Sequence, residues 1–294
     1  VILWDLESTE TLISSLKKRY PNQLFESHQF NICNEQEVVK HTNLIFSEFK
    51  KLDILFNNAG YQGDFKNTIE YATDDFQKVM DINVIGAFIV LREVANIMKK
   101  QEPQGGAIVN TASMAGIGAP PNMIAYATSK AAVKHMTVIA SKDLSPFNIR
   151  VNSISPAFIG PGFMWTRQVE LQAKAGSIYF NEDPNLVAKQ MVNEVPMKRY
   201  GTIDEVIDPV LFLLDAASIS RWHCVHGGDE IWTFIDGAPL SLFRHQQVDE
   251  RTEEVTELLG RVRYHLTGFS WSGSTLRGRG VRACDRGHHL TNKD

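Results

Sequence analysis

The sequence predicts an α/β fold, a doubly wound parallel sheet. The prediction rests on three observations: strands alternate with helical stretches of about 10 to 15 residues, the strands are short apolar runs, and polar residues cluster just after their ends. In such sheets ligands bind beyond the carboxyl ends of the strands. The residues following each strand therefore carry the functional information.

Each element can be justified in order. Val1-Ile2-Leu3-Trp4 is apolar and partly β-branched and closes on Asp5, which reads as a strand with no initiator Met before it. Leu12, Ile13 and Leu16 recur at helical spacing within Glu7 to Arg19, and Gln23 to Ile32 then reads as a strand. A helix over Glu35 to Phe49 and an apolar strand over Leu52 to Phe56 follow. The same rhythm predicts a helix over 74–100, a strand Ala107 to Thr111, a helix over 125–143, a strand Arg150 to Ser155 and a helix over 203–214. The pattern stops near Ala217. From Ser218 the composition shifts to scattered Trp, His, Gly and Arg, so the expected organisation is a domain over 1–217 and a separate segment over 218–294.

Composition narrows the partners. The chain has 294 residues, 43% hydrophobic and 22% charged, which suits a folded globular protein. A net charge of -4 gives no electrostatic case for nucleic acid or an anionic membrane surface. No apolar run approaches the roughly 18 residues that span a bilayer. Cys33, Cys224 and Cys284 are odd in number and lack metal-like spacing, so the expectation is no disulfide framework, no metal and a reducing, cytoplasmic compartment.

Three strand ends carry chemistry: Asp5, then Asn57-Asn58-Ala59-Gly60, then Ser113. A strand-end carboxylate can accept both ribose hydroxyls of an adenosine and repels a 2'-phosphate, which favours NAD over NADP while leaving NADP possible. Tyr126 and Lys130 are spaced i, i+4 and share a helix face. Bringing a phenol from about 10 to near 7 takes about 4 kcal/mol. An ammonium about 4.5 Å away at an effective dielectric near 20 supplies about 3.7 kcal/mol, and an oxidised nicotinamide adds charge of the same sign, which together make Tyr126 an acid/base group.

Asn57-Asn58-Ala59-Gly60, Asn83 in Asp81-Ile82-Asn83-Val84, Ser113, Tyr126 with Lys130, and Asn152-Ser153-Ile154-Ser155-Pro156 together resemble the short-chain dehydrogenase/reductase family in order and spacing, over about residues 1–217. The resemblance implies a Rossmann-like domain and hydride transfer between a nicotinamide cofactor and a small secondary alcohol or ketone. It implies that Tyr126 moves the proton, Lys130 lowers its pKa and bonds the nicotinamide ribose, Ser113 holds the substrate oxygen and Asn83 anchors a proton-relay water. By the same resemblance Asn58, Ala59 and Gly60 line the adenosine side, Asn31 and Ile32 contact the adenine, Pro156 and Ile159 flank the nicotinamide, and Asp5 binds the ribose. The family usually has aspartate where Asn31 stands and glycine where Ala157 stands. Homo-oligomers, tetramers or dimers, are implied as well. The segment Phe158 to Pro196 is placed as a lid, and its sequence is most similar to sugar-alcohol and ketose members.

Two departures shape the remaining expectations. The family opens with a strand and a TGxxxGxG turn that cradles the pyrophosphate. Measured against that pattern the chain reads as N-terminally truncated and without the central strand, so Leu3 and Leu55 are expected to face a gap in the sheet and dinucleotide binding is expected to be very weak or absent. Toward the other end, Arg221-Trp222-His223, Asp229-Glu230-Ile231-Trp232 and Gly237-Ala238-Pro239-Leu240 resemble small cupin-like proteins, although Val225 stands where a second histidine belongs. A catalytically inactive remnant, or a cupin-like binding module within 218–294, are the alternatives to an enzyme.

Overall fold

The computed structural model describes residues 1–215, together with two short strands at Cys284–Asp285 and His288–His289. The chain divides into two compact units, Val1–Val210 and Leu211–Asp294. Within the second unit, the strands Cys284–Asp285 and His288–His289 pair antiparallel. The cupin-like pattern and the expected segment over 218–294 otherwise fall outside the described residues.

The first unit follows the predicted alternation. Its strands are β1 (Ile2–Asp5), β2 (Glu26–Gln29), β3 (Ile54–Asn57), β4 (Gly106–Thr111) and β5 (Ile149–Ile154). Its helices are α1 (Glu10–Arg19), α2 (Glu35–Phe49), α3 (Thr73–Met80), α4 (Ala87–Lys100), α5 (Ala115–Gly118), α6 (Ile124–Leu144), α7 (Phe163–Lys174) and α8 (Pro184–Glu194). A ninth helix, α9, runs from Asp204 to Leu214. All ladders among β1 to β5 are parallel.

The sheet is present as two pieces, β1–β2 and β3–β4–β5, with no ladder between β1 and β3, which is the gap expected between Leu3 and Leu55. A consequence is visible on β3, where Ile54 and Phe56 are exposed although parallel strands normally bury both faces. A common core still spans both pieces. Phe30, Val38, Ile89, Leu91, Val94, Met98, Ile108, Ile149 and Val151 form one cluster, with Trp4 and Leu55 packed against it.

Several boundaries differ from the sequence reading for local reasons. Asp5 accepts the Glu7 amide at 2.9 Å, a turn that delays α1 until Glu10. Asn31 does the same for Cys33 at 2.9 Å and helps end the second strand before Ile32. Leu52 is drawn out of β3 by Gln101, which accepts its amide at 2.8 Å and donates to its carbonyl at 3.2 Å. The long helix expected over 74–100 is α3 and α4 joined by a six-residue π-helical turn, Asp81–Gly86. Hydrophobic periodicity cannot reveal that turn, because its apolar residues keep helical spacing on either side.

Candidate active site

The site forms beyond the carboxyl ends of β3, β4 and β5. Buried polar side chains lock those ends to the helices. Asn57 donates to the Ala87 carbonyl at 2.9 Å and to Asn110 at 3.1 Å, and Asn110 donates to Thr137 at 2.9 Å. This network ties β3, β4, α4 and α6 at one level. A fully satisfied buried network of this kind fixes one geometry.

Above it the four residues proposed from sequence come together. Asn83, 1% exposed, sits in the π-helical turn. Its amide accepts the Tyr61 N–H at 2.7 Å and donates to the Tyr61 carbonyl at 2.8 Å and to the Ser129 hydroxyl at 2.9 Å. Ser129 donates to the Tyr126 carbonyl at 2.7 Å, so the π-helical turn reaches α6 beside Tyr126. Lys130 donates to the Thr111 carbonyl at 2.7 Å, and its Nζ lies 5.7 Å from the Tyr126 ring centroid. Ser113 accepts the Ala115 amide at 3.1 Å, donates to the Pro156 carbonyl at 3.4 Å and lies near enough to the Tyr126 hydroxyl to act against the rise in its pKa. α5 and α6 thereby set Ser113 and Tyr126 against each other.

The electrostatics correct one expectation. Burial raises the Tyr126 pKa above its ordinary value, and the Ser113 hydrogen bond only partly opposes it. The Lys130 ammonium, expected about 4.5 Å away as the group that lowers it, is directed at Thr111 instead. Burial also lowers Lys130 itself, to about 8. Burial thus favours the neutral phenol of Tyr126.

The other proposed residues fall into two groups. Gly60 adjoins the quartet: a Cβ there would stand 3.3 Å from Lys130 Nζ and 3.4 Å from Asn83 Oδ1. Asn58 accepts the Thr111 hydroxyl at 2.9 Å, Ala59 beside it is exposed, and Pro156 meets Ser113 through its carbonyl. Ile159 is half-buried and pairs with Gly201 in an isolated bridge. Asp5, Asn31 and Ile32 form the second group, at the ends of β1 and β2. Asp5 is exposed, and its carbonyl accepts the Phe30 amide at 3.0 Å. Asn31 lines a cavity of about 380 Å³ with Cys33, Lys78 and Asp81. Ile32 packs where a side chain on Gly86 would be, 2.9 Å from that position.

These groups suit the two nucleoside ends of a dinucleotide. Lys130 and the side-chain-free Gly60 leave a polar approach at one end, and the exposed Asp5 carboxylate with Asn31 at the other. The connection from β1 to α1, Leu6 to Thr9, holds no glycine, and its Glu7 amide is bonded to Asp5. Among the described residues no group of three or more histidine, cysteine or acidic side chains is placed to hold a metal. No helix among them is long and apolar enough to cross a membrane.

Sequence reasoning passed over Ser129, Thr111, Tyr61 and Gln62. Ser129 carried a signal: a serine three residues after Tyr126 on a helix can reach its backbone carbonyl. Thr111 acts partly through its main-chain carbonyl, which no side-chain pattern announces.

Comparison with known proteins agrees with this geometry. The family described as Enoyl-(Acyl carrier protein) reductase matches residues 1–220. Levodione reductase of Leifsonia aquatica is 33% identical over 184 residues, 63% of this chain, and the chain spans 65% of that relative's length. 3alpha-hydroxysteroid dehydrogenase of Mediterraneibacter gnavus is 31% identical over 215 residues, covering 72% of this chain and 78% of the relative. The crystal structure of an NAD+-bound xylitol dehydrogenase superposes with a TM-score of 0.70 at 48% identity, covering 74% of this chain and 83% of that one. The α/β unit that brings Tyr126, Lys130, Ser113 and Asn83 together belongs to the short-chain dehydrogenase/reductase family.

Proposed function

We propose that the protein interconverts a secondary alcohol and its ketone with NAD(H), and that Asn83, Ser113, Tyr126 and Lys130 carry the reaction. The observation that supports this best is the pairing of Ser113 with Tyr126 above the buried Lys130. NADH, when bound, supplies hydride to the carbonyl carbon. Ser113 holds the carbonyl oxygen, and Tyr126 gives that oxygen its phenolic proton as the C=O bond becomes C–O–H. The raised Tyr126 pKa keeps the proton in place until charge develops on the substrate oxygen. Lys130, with its Nζ 5.7 Å from the ring centroid and its pKa lowered to about 8, returns a proton to the phenolate left behind. Asn83 holds the Tyr61 backbone and Ser129, and through them the position of Tyr126. In alcohol oxidation each transfer runs in reverse.

Binding of the nicotinamide ribose falls to Lys130, and Asn58, Ala59, Gly60, Pro156 and Ile159 flank the cofactor. Asp5 selects NAD(H) over NADP(H), with Asn31 and Ile32 at the adenine. Phe158 to Pro196 supplies the substrate side. There α7 and α8 pack through Val169, Ala173, Val187 and Met191, while Phe163, Ile178 and Tyr179 stay exposed. The likeness to a xylitol dehydrogenase favours a polyol or ketose. Assembly as a homo-oligomer completes the reading. The test is NADH formation by the full-length protein with a panel of secondary alcohols and polyols. Turnover of at least one supports the reading, and absence of turnover across the panel favours a non-catalytic remnant.

A further inference from the structure

We propose that Gln62 reads a second hydroxyl of the substrate, so that the preferred substrate is a polyhydroxylated alcohol or ketone rather than a simple one. This rests on the oxidoreductase reading above. Three glutamines are buried among the described residues, Gln62, Gln101 and Gln172. Two are satisfied at both ends of their amides. Gln101 accepts from Leu52 at 2.8 Å and donates to the Gly105 carbonyl at 2.7 Å. Gln172 accepts from Asn122 at 3.0 Å and donates to the Pro121 carbonyl at 3.2 Å.

Gln62 differs. It is 3% exposed, its Oε1 has no hydrogen-bond partner, and its Nε2 makes only a 3.5 Å contact with Gln168. A buried carbonyl without a partner loses its hydration and gains nothing for it, so such groups call for an explanation. Rearrangement is hindered on both sides. Tyr61 is clamped by Asn83 through both its N–H and its carbonyl. Gly63 accepts from Arg167 at 3.1 Å, and its φ of +68° with Val79 2.5 Å from a would-be Cβ suits glycine alone. Gln62 is therefore held in place with an acceptor unfilled.

Its position makes substrate the fitting donor. One neighbour, Tyr61, is bonded to the Asn83 amide that also bonds Ser129 beneath Tyr126. Further along the same loop, the Lys66 amide donates to the Asn122 carbonyl at 2.9 Å, which lays the loop against the start of α6, one turn before Tyr126. Gln168 and Arg167 lie on α7, in the segment assigned to substrate choice. Gln62 thus stands between the proton donor and the substrate-side helix. The remaining orphaned atoms, Trp4 Nε1, His28 Nδ1 and His41 Nδ1, belong to the aromatic cluster of β1, β2 and α2, where His41 stacks on Phe30 at 4.5 Å. A site that holds a substrate hydroxyl with a buried acceptor discriminates against an analogue lacking it more strongly than an apolar pocket discriminates by size.

The test compares kcat/KM of the full-length protein with NAD+ for a linear pentitol and for a secondary alcohol of the same chain length with a single hydroxyl. The wild type should favour the pentitol. Gln62→Met, which removes the acceptor at similar volume, should lower the pentitol-to-mono-ol ratio about tenfold or more, while Gln62→Glu, which keeps an acceptor oxygen, should retain most of it. A ratio unchanged in Gln62→Met, whatever the absolute rates, overturns the assignment. So does a Gln62→Glu ratio as low as that of Gln62→Met. A wild type that does not favour the pentitol overturns the role of Gln62, and one that turns over neither these two alcohols nor any other of the wider panel overturns the functional reading itself.

Discussion

Asn83 and Ser129 are joined by a buried 2.9 Å hydrogen bond that links the π-helical turn to the helix carrying Tyr126. Both residues are at most 1% exposed, so neither has water to fall back on. Removing the hydroxyl leaves one N–H of Asn83 without its partner. Ser129→Ala should therefore cost about 1–3 kcal/mol of stability and should lower turnover by loosening Tyr61 and Tyr126 together. Urea unfolding checks the first effect, and a stability equal to wild type would show that the bond contributes nothing.

Lys130 gives a pH dependence of defined sign. Burial lowers its pKa from 10.5 to about 8 in the folded protein. Between those values the unfolded chain binds more protons, so this lysine's contribution makes stability rise with pH across that window and stay level below it. At neutral pH the buried charge costs roughly 3 kcal/mol, partly offset by its bond to Thr111. Lys130→Met should be more stable than wild type at pH 7 by about 1–2 kcal/mol and should lose the rise in alkali. Urea titrations at about pH 7 and pH 9.5 test this. Parallel curves for the two proteins would contradict it.

Cofactor choice should follow Asp5. Its exposed carboxylate at the end of β1 opposes a 2'-phosphate, so kcat/KM should favour NAD(H). Asp5→Ser combined with a nearby arginine should shift the ratio toward NADP(H) by about tenfold or more. Equal efficiency with both cofactors in the unmutated protein would count against this role.

The sequence carried the order of β and α elements and the strand-end residues, because parallel strands are apolar runs and ligand-facing polar residues must follow them. Helical spacing placed Tyr126 and Lys130 on one face, but only the set with Asn57 to Gly60, Asn83, Ser113 and Asn152 to Pro156 marked them as a site. What lay beyond reach depends on tertiary burial. Spacing places an ammonium beside a phenol, but only the fold shows Lys130 turned to the Thr111 carbonyl and Tyr126 buried enough to raise its pKa. The break between β1 and β3 falls at the gap that the family pattern implied between Leu3 and Leu55, although the apolar runs by themselves read the same with or without a ladder. Gln62 was hidden for a related reason: a glutamine in a loop reads as solvated until its carbonyl is found buried.

The central claim is that Tyr126 transfers the proton. Its most direct test is the turnover of Tyr126→Phe in the full-length protein, alongside substrate and NADH binding by the same variant. Phenylalanine keeps the ring and removes only the hydroxyl that meets Ser113. A fall in kcat of about a hundredfold or more is expected, with binding of NADH retained. A variant that keeps more than about a tenth of the wild-type rate would contradict it, because a proton donor at this position is worth more than that.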